Sequence, residues 1–423
     1  MIIIAAFVSI VFLYSLVSKR LEHTVLTAPM IFTATGILLV FAFPVLHEFE
    51  MDRKSFLLLA EVGLVLTLFS DASRINLQVL KANEKLPVRL LSIGMPLTVL
   101  LGAIGAVMVF PKLSIWEAGI LAAILAPTDA GLGEIIVNSP LVPERIRQAL
   151  NVEAGLNDGL SVPLLMFFID IAGSGTKGPG EVLIRFLVEQ LGYGALVGLG
   201  IGLAGGWLLG RAETKGWMAG SLRPLGLAAL PLLCVLGSEH VHGSMFIAAY
   251  VAGLAVQAGF KEAGKQSVDF TEGWGKLLDF FVFFLFGMFV ALNSNRSSLP
   301  IVSYAVISLT LVRMVPVAVS LTGTRLSAAT VAFMGWFGPR GLASIVLGLV
   351  YLEEESHLPG EPVIKAAVMA TVLLSIFGHG VSALPGIRRY ARRVAALDPG
   401  APEHLTVSAP DTLAKTQVGE PNS

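Results

Sequence analysis

Cysteine is almost absent: Cys234 is alone among 423 residues, which excludes a disulfide framework and thiolate metal clusters. Charge is scarce too. Asp, Glu, Lys and Arg make up 14% of the chain and the net charge is −1, so no basic field exists for nucleic acid to bind. Long polar stretches are few, with 55% of residues hydrophobic and a mean hydropathy of +0.78. That balance excludes a soluble globular protein. No phosphate-cradling glycine loop occurs.

What is present is a succession of apolar runs of spanning length, each roughly 20 residues. They lie near 2–18, 26–46, 55–70, 88–110, 116–138, 149–173, 182–210, 218–238, 240–259, 275–292, 299–322, 326–351 and 362–386. Hydropathy therefore predicts an all-α polytopic membrane protein of about 13 transmembrane helices. The eighth and ninth runs meet at Gly237-Ser238-Glu239 with no real loop between them. The first run ends on Lys19 and Arg20 with no cleavage motif and is expected to be a retained helix. Basic residues fall on alternate connections, at Lys19 and Arg20; Arg74, Lys81, Lys85 and Arg89; Arg145 and Arg147; Arg211, Lys215 and Arg223; Lys261 and Lys265; Arg325; and Arg388, Arg389, Arg392 and Arg393. The positive-inside rule puts these in the cytoplasm, with the N-terminus outside and the C-terminus inside. Residues 1–393 read as one membrane domain and 394–423 as a short disordered tail.

Two runs are interrupted in the same way. Ala126-Pro127-Thr128-Asp129-Ala130-Gly131 breaks the fifth and Gly335-Trp336-Phe337-Gly338-Pro339-Arg340-Gly341 the twelfth. Pro and Gly at mid-membrane free backbone groups that hydrocarbon cannot satisfy, so such breaks persist only against protein or a watery cavity. Their odd offset of seven helices makes them enter from opposite sides, which predicts inverted repeats with a binding site where the breaks cross.

Charges at membrane depth cost about 2.5 to 3.5 kcal/mol each, so each needs a partner or a task. The candidates are Glu61, Asp71, Asp129, Glu134, Glu153, Asp158, Asp170, Arg185, Glu189, Asp279, Arg313 and Arg340. Glu134, Asp170, Arg185 and Glu189 are expected to snorkel from helix ends. On the sixth run, Asn157 and Asp158 together with Thr128 and Asp129 offer a hard cation several oxygens. Glu153 is expected to pair with the permanently charged Arg340, and Arg313 with Asp71 or Glu61. His240, His242 and His379 are expected at helix ends, and glycines at 192–210 to serve small-residue helix packing.

Pro127-Thr128-Asp129, Glu153-x-x-x-Asn157-Asp158-Gly159 and Gly338-Pro339-Arg340-Gly341, in that order, resemble the monovalent cation:proton antiporters, in particular their electroneutral bacterial sodium/proton exchanger branch. Leu68-Phe69-Ser70-Asp71-Ala72-Ser73-Arg74 resembles that family's third helix, and the likeness spans residues 1–390. The resemblance implies that Asp158 is the shared cation and proton carboxylate, Thr128 a cation ligand, Asn157 a support, and Glu153 with Arg340 a structural ion pair. Ala154 stands where the family commonly has a serine, so it offers the cation only its backbone or a bridging water. Asp71, Glu61 and Arg313 become supporting charges.

The expected activity is alternating-access exchange of a monovalent cation for a proton, needing no cofactor beyond the transported ions. Sodium is the expected cation, with potassium the alternative. An intramembrane aspartyl protease using Asp129 and Asp158 is a remote alternative, since neither acid sits in a Gly-x-Gly-Asp motif. A pure channel would be separated from an exchanger by flux that saturates and needs a counter-ion. The resemblance also implies a homodimer, and the bacterial inner membrane is the expected location.

Overall fold

In a computed structural model the described residues are 1–21, 24–48, 52–75, 84–174, 180, 184, 187–260, 266–293, 298–354, 358–398 and 400–404. Lys81, Arg185, Lys261 and Lys265 of the sequence reading lie outside them. Helices and turns account for the regular structure, with no strand among the described residues.

The helices are α1 (Ile2–Leu21), α2 (Ala28–Ala42), α3 (Arg53–Ser73), α4 (Lys85–Val109), α5 (Ile115–Ile124), α6 (Ala130–Val137), α7 (Glu144–Ser174), α8 (Gly194–Thr214), α9 (Arg223–Val241), α10 (Met245–Val256), α11 (Gln266–Leu292), α12 (Leu299–Leu309), α13 (Leu311–Ser320), α14 (Ala328–Trp336), α15 (Leu342–Glu353) and α16 (Glu361–Ala395). Nine described spans are long and apolar enough to cross a membrane, and shorter apolar helices occupy the remaining hydropathy runs. Local chemistry sets several starts. Ser114 and Glu117 form a reciprocal capping box on α5, and Asp52, Ser244 and Ser327 cap α3, α10 and α14, each side-chain oxygen taking an orphan N–H of the first turn.

The expected junction at Gly237-Ser238-Glu239 is displaced. Helix α9 runs through it to Val241, and the chain turns at His242, which is left-handed with φ 56°. Ser244 then caps the next helix through the N–H of Ile247. The mostly polar stretch 238–244 marks an interruption without fixing the residue at which the chain turns. A second difference lies in the eleventh run, which breaks at Thr310 (φ −107°, ψ −88°) between α12 and α13.

Packing divides the helices into two groups. In one, α2 and α3 pack on α11, α3 packs on α10, and α8 lies along α10. In the other, α4 packs on α5, α5 on α7, α12 on α16 and α13 on α14. The pairing of α2 with α11 mirrors that of α10 with α3, and α4 with α5 mirrors α13 with α14, as inverted repeats require. The contacts are close where side chains vanish. A methyl on Gly36 would overlap the carbonyl of Phe284, and one on Gly287 the carbonyl of Thr33, so α2 and α11 meet backbone to backbone. Gly198, Gly202 and Gly206 do the same for α8 against Ala248, Ala252 and Val256 of α10, a small-residue seam of the kind expected between membrane helices.

The tail departs from expectation in part. Residues 394 and 395 continue α16, and the turn Pro402–His404 docks back on the bundle with Glu403 buried. Residues 405–423 lie outside the described set.

Candidate functional site

The two interrupted runs cross. Asp129 donates its backbone N–H to Pro339 O at 2.8 Å, and Arg340 Nη1 donates to Pro127 O at 3.1 Å. Each break thus satisfies backbone groups freed by the other, the condition for irregular chain at membrane depth. Asp129 is the N-cap of α6, accepting from Leu132 N–H at 2.8 Å, while its second oxygen accepts from the N–H of Leu342 at the start of α15. One carboxylate therefore sits on two positive half-helix ends. Gly341 is required, because a methyl there would occupy the position of Asp129 Oδ2. Both oxygens of Asp129, expected among the cation ligands, accept backbone N–H groups that hold the crossing together.

Beside the crossing runs α7. Asn157 Nδ2 donates to Thr128 Oγ1 at 2.8 Å, and the Thr128 N–H donates to Asn157 Oδ1 at 3.3 Å. This reciprocal clamp fixes the hydroxyl of Thr128 against Asn157, the residue that precedes Asp158. Asp158 is 4% exposed, and its Oδ1 has no hydrogen-bond partner. Gly155 and Gly159, on either side of Asp158, seat the ring of Tyr250 and the side chain of Ile247. The Asp158 stretch of α7 thereby lies directly against α10 of the other helix group. Ala154 lines a small pocket with Thr128, Asp129, Leu150, Phe337 and Pro339.

The ion pair differs from expectation. Glu153 is held by Arg313, through Nη1–Oε1 at 2.6 Å and Nη2–Oε2 at 2.9 Å, with both side chains under 5% exposed. Arg340 instead gives its guanidinium to Pro127 O and its backbone N–H to Ser375 Oγ at 2.6 Å, leaving Nε and Nη2 without partners. Gly338 makes room for the Arg313 guanidinium, and the break at Thr310 starts α13 one turn before Arg313. That break carries no Pro or Gly, so nothing in the sequence signalled it. Arg313 accordingly pairs with neither Asp71 nor Glu61. Glu61 lies in the field of Glu239, and Asp71 in that of Glu134, Glu272, Arg74 and Lys276.

Glu134, expected to snorkel, bonds Lys276 at 2.8 Å. His379 is buried, with Nε2 at 2.9 Å from Trp336 O, where α14 ends, and Nδ1 beside Ser375. It braces the twelfth-run break instead of flanking an interface. No group of three or more His, Cys, Asp or Glu residues fit to hold a metal ion occurs among the described residues.

The profile of the transmembrane sodium/hydrogen exchanger family matches residues 3–386. The K(+)/H(+) antiporter NhaP2 of Shewanella sp. (strain MR-4) is 26% identical over 377 residues, 88% of this chain and 63% of that protein. The K(+)/H(+) antiporter NhaP of Alkalimonas amylolytica is 24% identical over 374 residues, 86% and 62% of the two chains. The chain thus spans less than two thirds of these relatives. The structure of the sodium proton antiporter MjNhaP1 from Methanocaldococcus jannaschii superposes with a TM-score of 0.73 at 22% identity, covering 94% of this chain and 98% of that one. The chain belongs to the sodium/hydrogen exchanger family, a family of multi-pass secondary transporters and not of enzymes.

Proposed function

We propose that this protein exchanges a monovalent cation for a proton by alternating access, with Asp158 as the shared site. One observation carries the reading: a buried carboxylate with an unengaged oxygen directly follows Asn157, the residue clamped to Thr128 of the crossing broken helix. Desolvation disfavours a charged carboxylate, whereas a cation beside it favours the charge. Proton and cation therefore compete for Asp158. If only the loaded forms cross, counter-transport follows without nucleotide or cofactor. Asn157 adds oxygen but no second titrating group, which favours one-for-one exchange. Thr128 supplies a neutral ligand and Ala154 contributes through its backbone or a water.

Sodium is the first cation to test and potassium the second, the latter favoured by the names of the antiporters from Shewanella and Alkalimonas. The basic connections favour a cytoplasmic C-terminus, with 13 crossings, a bacterial inner-membrane location and a homodimer as the accompanying proposals. The test is reconstitution into vesicles carrying a pH gradient, with dye-detected collapse on adding Na⁺, Li⁺ or K⁺. Collapse by Na⁺ that Asp158→Asn abolishes supports the sodium reading, and collapse by K⁺ alone the potassium one. Equal exchange by Asp158→Asn refutes the single-carboxylate mechanism.

A further inference from the structure

A second buried carboxylate lies in the other helix group. Asp279, halfway along α11, is nine-tenths buried. Its Oδ2 accepts from Thr67 Oγ1 of α3 at 2.9 Å, while its Oδ1 has no partner. Gly63 leaves the space that Oδ1 occupies, a methyl there falling 2.9 Å away. An ionised carboxylate with a bare oxygen is costly away from water. Such a group is settled by a proton or by a passing cation.

Its neighbours form a graded series. The charges of Asp129 and Asp71 act on Asp279, and those of Asp129 and Asp71 also act on Asp158. Asp71 therefore stands in the field of both. On its far side, one turn further along α3 and α11, come Lys276 bonded at 2.8 Å to both Glu134 and Glu272, then Arg74 bonded to Glu272 and, at 2.7 Å, to Asp269. The side chains of Arg74 and Asp269 are solvent-exposed by more than a third. Tyr250 of α10, seated on Gly155, also feels Asp71. From Asp71 and Asp279 outward to the surface at Arg74, only the outer carboxylates are matched by cations. The inner pair, Asp71 and Asp279, has no salt bridge to a Lys or Arg among the described residues.

We propose that Asp279, tethered by Thr67 and acting with Asp71, relays protons between Asp158 and the face of the protein bearing Arg74. This rests on the exchange reading above. In the relay the O–H bond of Asp158 breaks as a cation arrives, and an O–H bond forms on Asp71 or Asp279. That bond breaks in turn as the proton leaves at the Arg74 face. The pair returns to its starting state each cycle, so exchange stays one for one. Asp279 belongs to the helix group opposite Asp158, so it serves whichever conformation brings the two groups together.

The test compares wild type, Asp279→Asn, Asp279→Glu and Asp158→Asn in phosphatidylethanolamine/phosphatidylglycerol vesicles, measuring maximal rate and cation KM across pH. The amide still accepts the Thr67 hydroxyl but carries no transferable proton. Expected for Asp279→Asn is a maximal rate lowered about tenfold, most strongly at alkaline pH where protons are scarce, with KM within about twofold of wild type and rescue by Asp279→Glu. Thr67→Val, which removes one hydrogen bond and keeps the shape, shows the same pattern more weakly and replaces Asp279→Asn should that variant not purify as a single species. An unchanged rate and pH profile overturns the relay. So does a raised KM at unchanged maximal rate, which makes Asp279 a cation ligand instead. If wild type shows no exchange, or Asp158→Asn exchanges normally, it is the exchange reading that fails; if those two behave as expected while Asp279→Asn matches wild type, only the relay fails.

Discussion

Glu153 and Arg313 offer the sharpest test of how the core is held. Both oxygens of one side chain meet both terminal nitrogens of the other at 2.6 and 2.9 Å, with almost no exposure. A buried pair of this geometry need not stabilise the fold relative to apolar residues, but losing one partner strands the other at a cost of about 3 to 5 kcal/mol. Unfolding entropy near 2.1 cal/mol/K per residue makes 1 kcal/mol worth roughly 1 °C in a chain this long, so Glu153→Gln or Arg313→Gln should each lower the unfolding midpoint by about 3 to 5 °C. The double variant removes both charges together, so its loss should be well short of the sum, with a coupling above about 1.5 kcal/mol. Tryptophan fluorescence during heating of the detergent-solubilised protein reads all three. Arg340→Gln combined with Glu153→Gln is the control, since Arg340 bonds Pro127 and not Glu153. Additive losses for Glu153 with Arg313, or stronger coupling of Glu153 to Arg340, would refute the pairing.

Gly341→Ala should abolish exchange and lower the unfolding midpoint, because its methyl displaces Asp129 from the N–H of Leu342; unchanged exchange in the vesicle assay would contradict the crossing described. Ala154→Ser should tighten the cation KM by roughly fivefold, about 1 kcal/mol for an added hydroxyl ligand, and an unaltered KM would place the site away from this cavity. At Glu403, burial alone would raise the carboxyl's pKa, but hydrogen bonds from Ser327 N–H and the Thr330 hydroxyl outweigh it and hold it below the usual range. Its stabilising contribution is therefore present above the unfolded-state value near about 4.3 and lost as pH falls through the folded one; Glu403→Gln should lower the unfolding midpoint at pH 7 and not at strongly acid pH.

The all-helical architecture and both breaks were legible because hydropathy and Pro-Gly punctuation act locally. The Pro and Gly of 126–131 and 335–341 interrupt a helix in lipid whatever surrounds them, and the chain leaves the helix after Ile124 and Trp336. Asn157 and Thr128 were also foreseeable as neighbours, since the crossing lies against the Asn157-Asp158 stretch. Pairing was not legible. Which arginine meets Glu153 depends on a break at Thr310 and on space left by Gly338, both set by tertiary packing. The same holds for Asp279: its sequence surroundings are a plain apolar helix, and only the approach of α3 brings Thr67 to it. Glu403 was hidden in a tail of ordinary polar composition, where docking depends on the N-terminus of α14 being within reach.

Among the carboxylates around the crossing, one is left unanswered. Glu153 is neutralised by Arg313, and Asp129 lies on the positive ends of α6 and α15. Arg340, bonded only to the carbonyl of Pro127 and the hydroxyl of Ser375, adds a positive charge that no carboxylate bonds. Asp158 alone among these groups has neither a salt bridge nor a hydrogen bond on Oδ1. A charge that the protein leaves without a fixed partner in so dry a place is stable only when a mobile one arrives. Proton and monovalent cation bring the same single charge, so either one leaves the surrounding field in the same state. On the exchange reading proposed above, that equivalence would let a proton and a monovalent cation alternate at Asp158 with no lasting change in the charge of any other group.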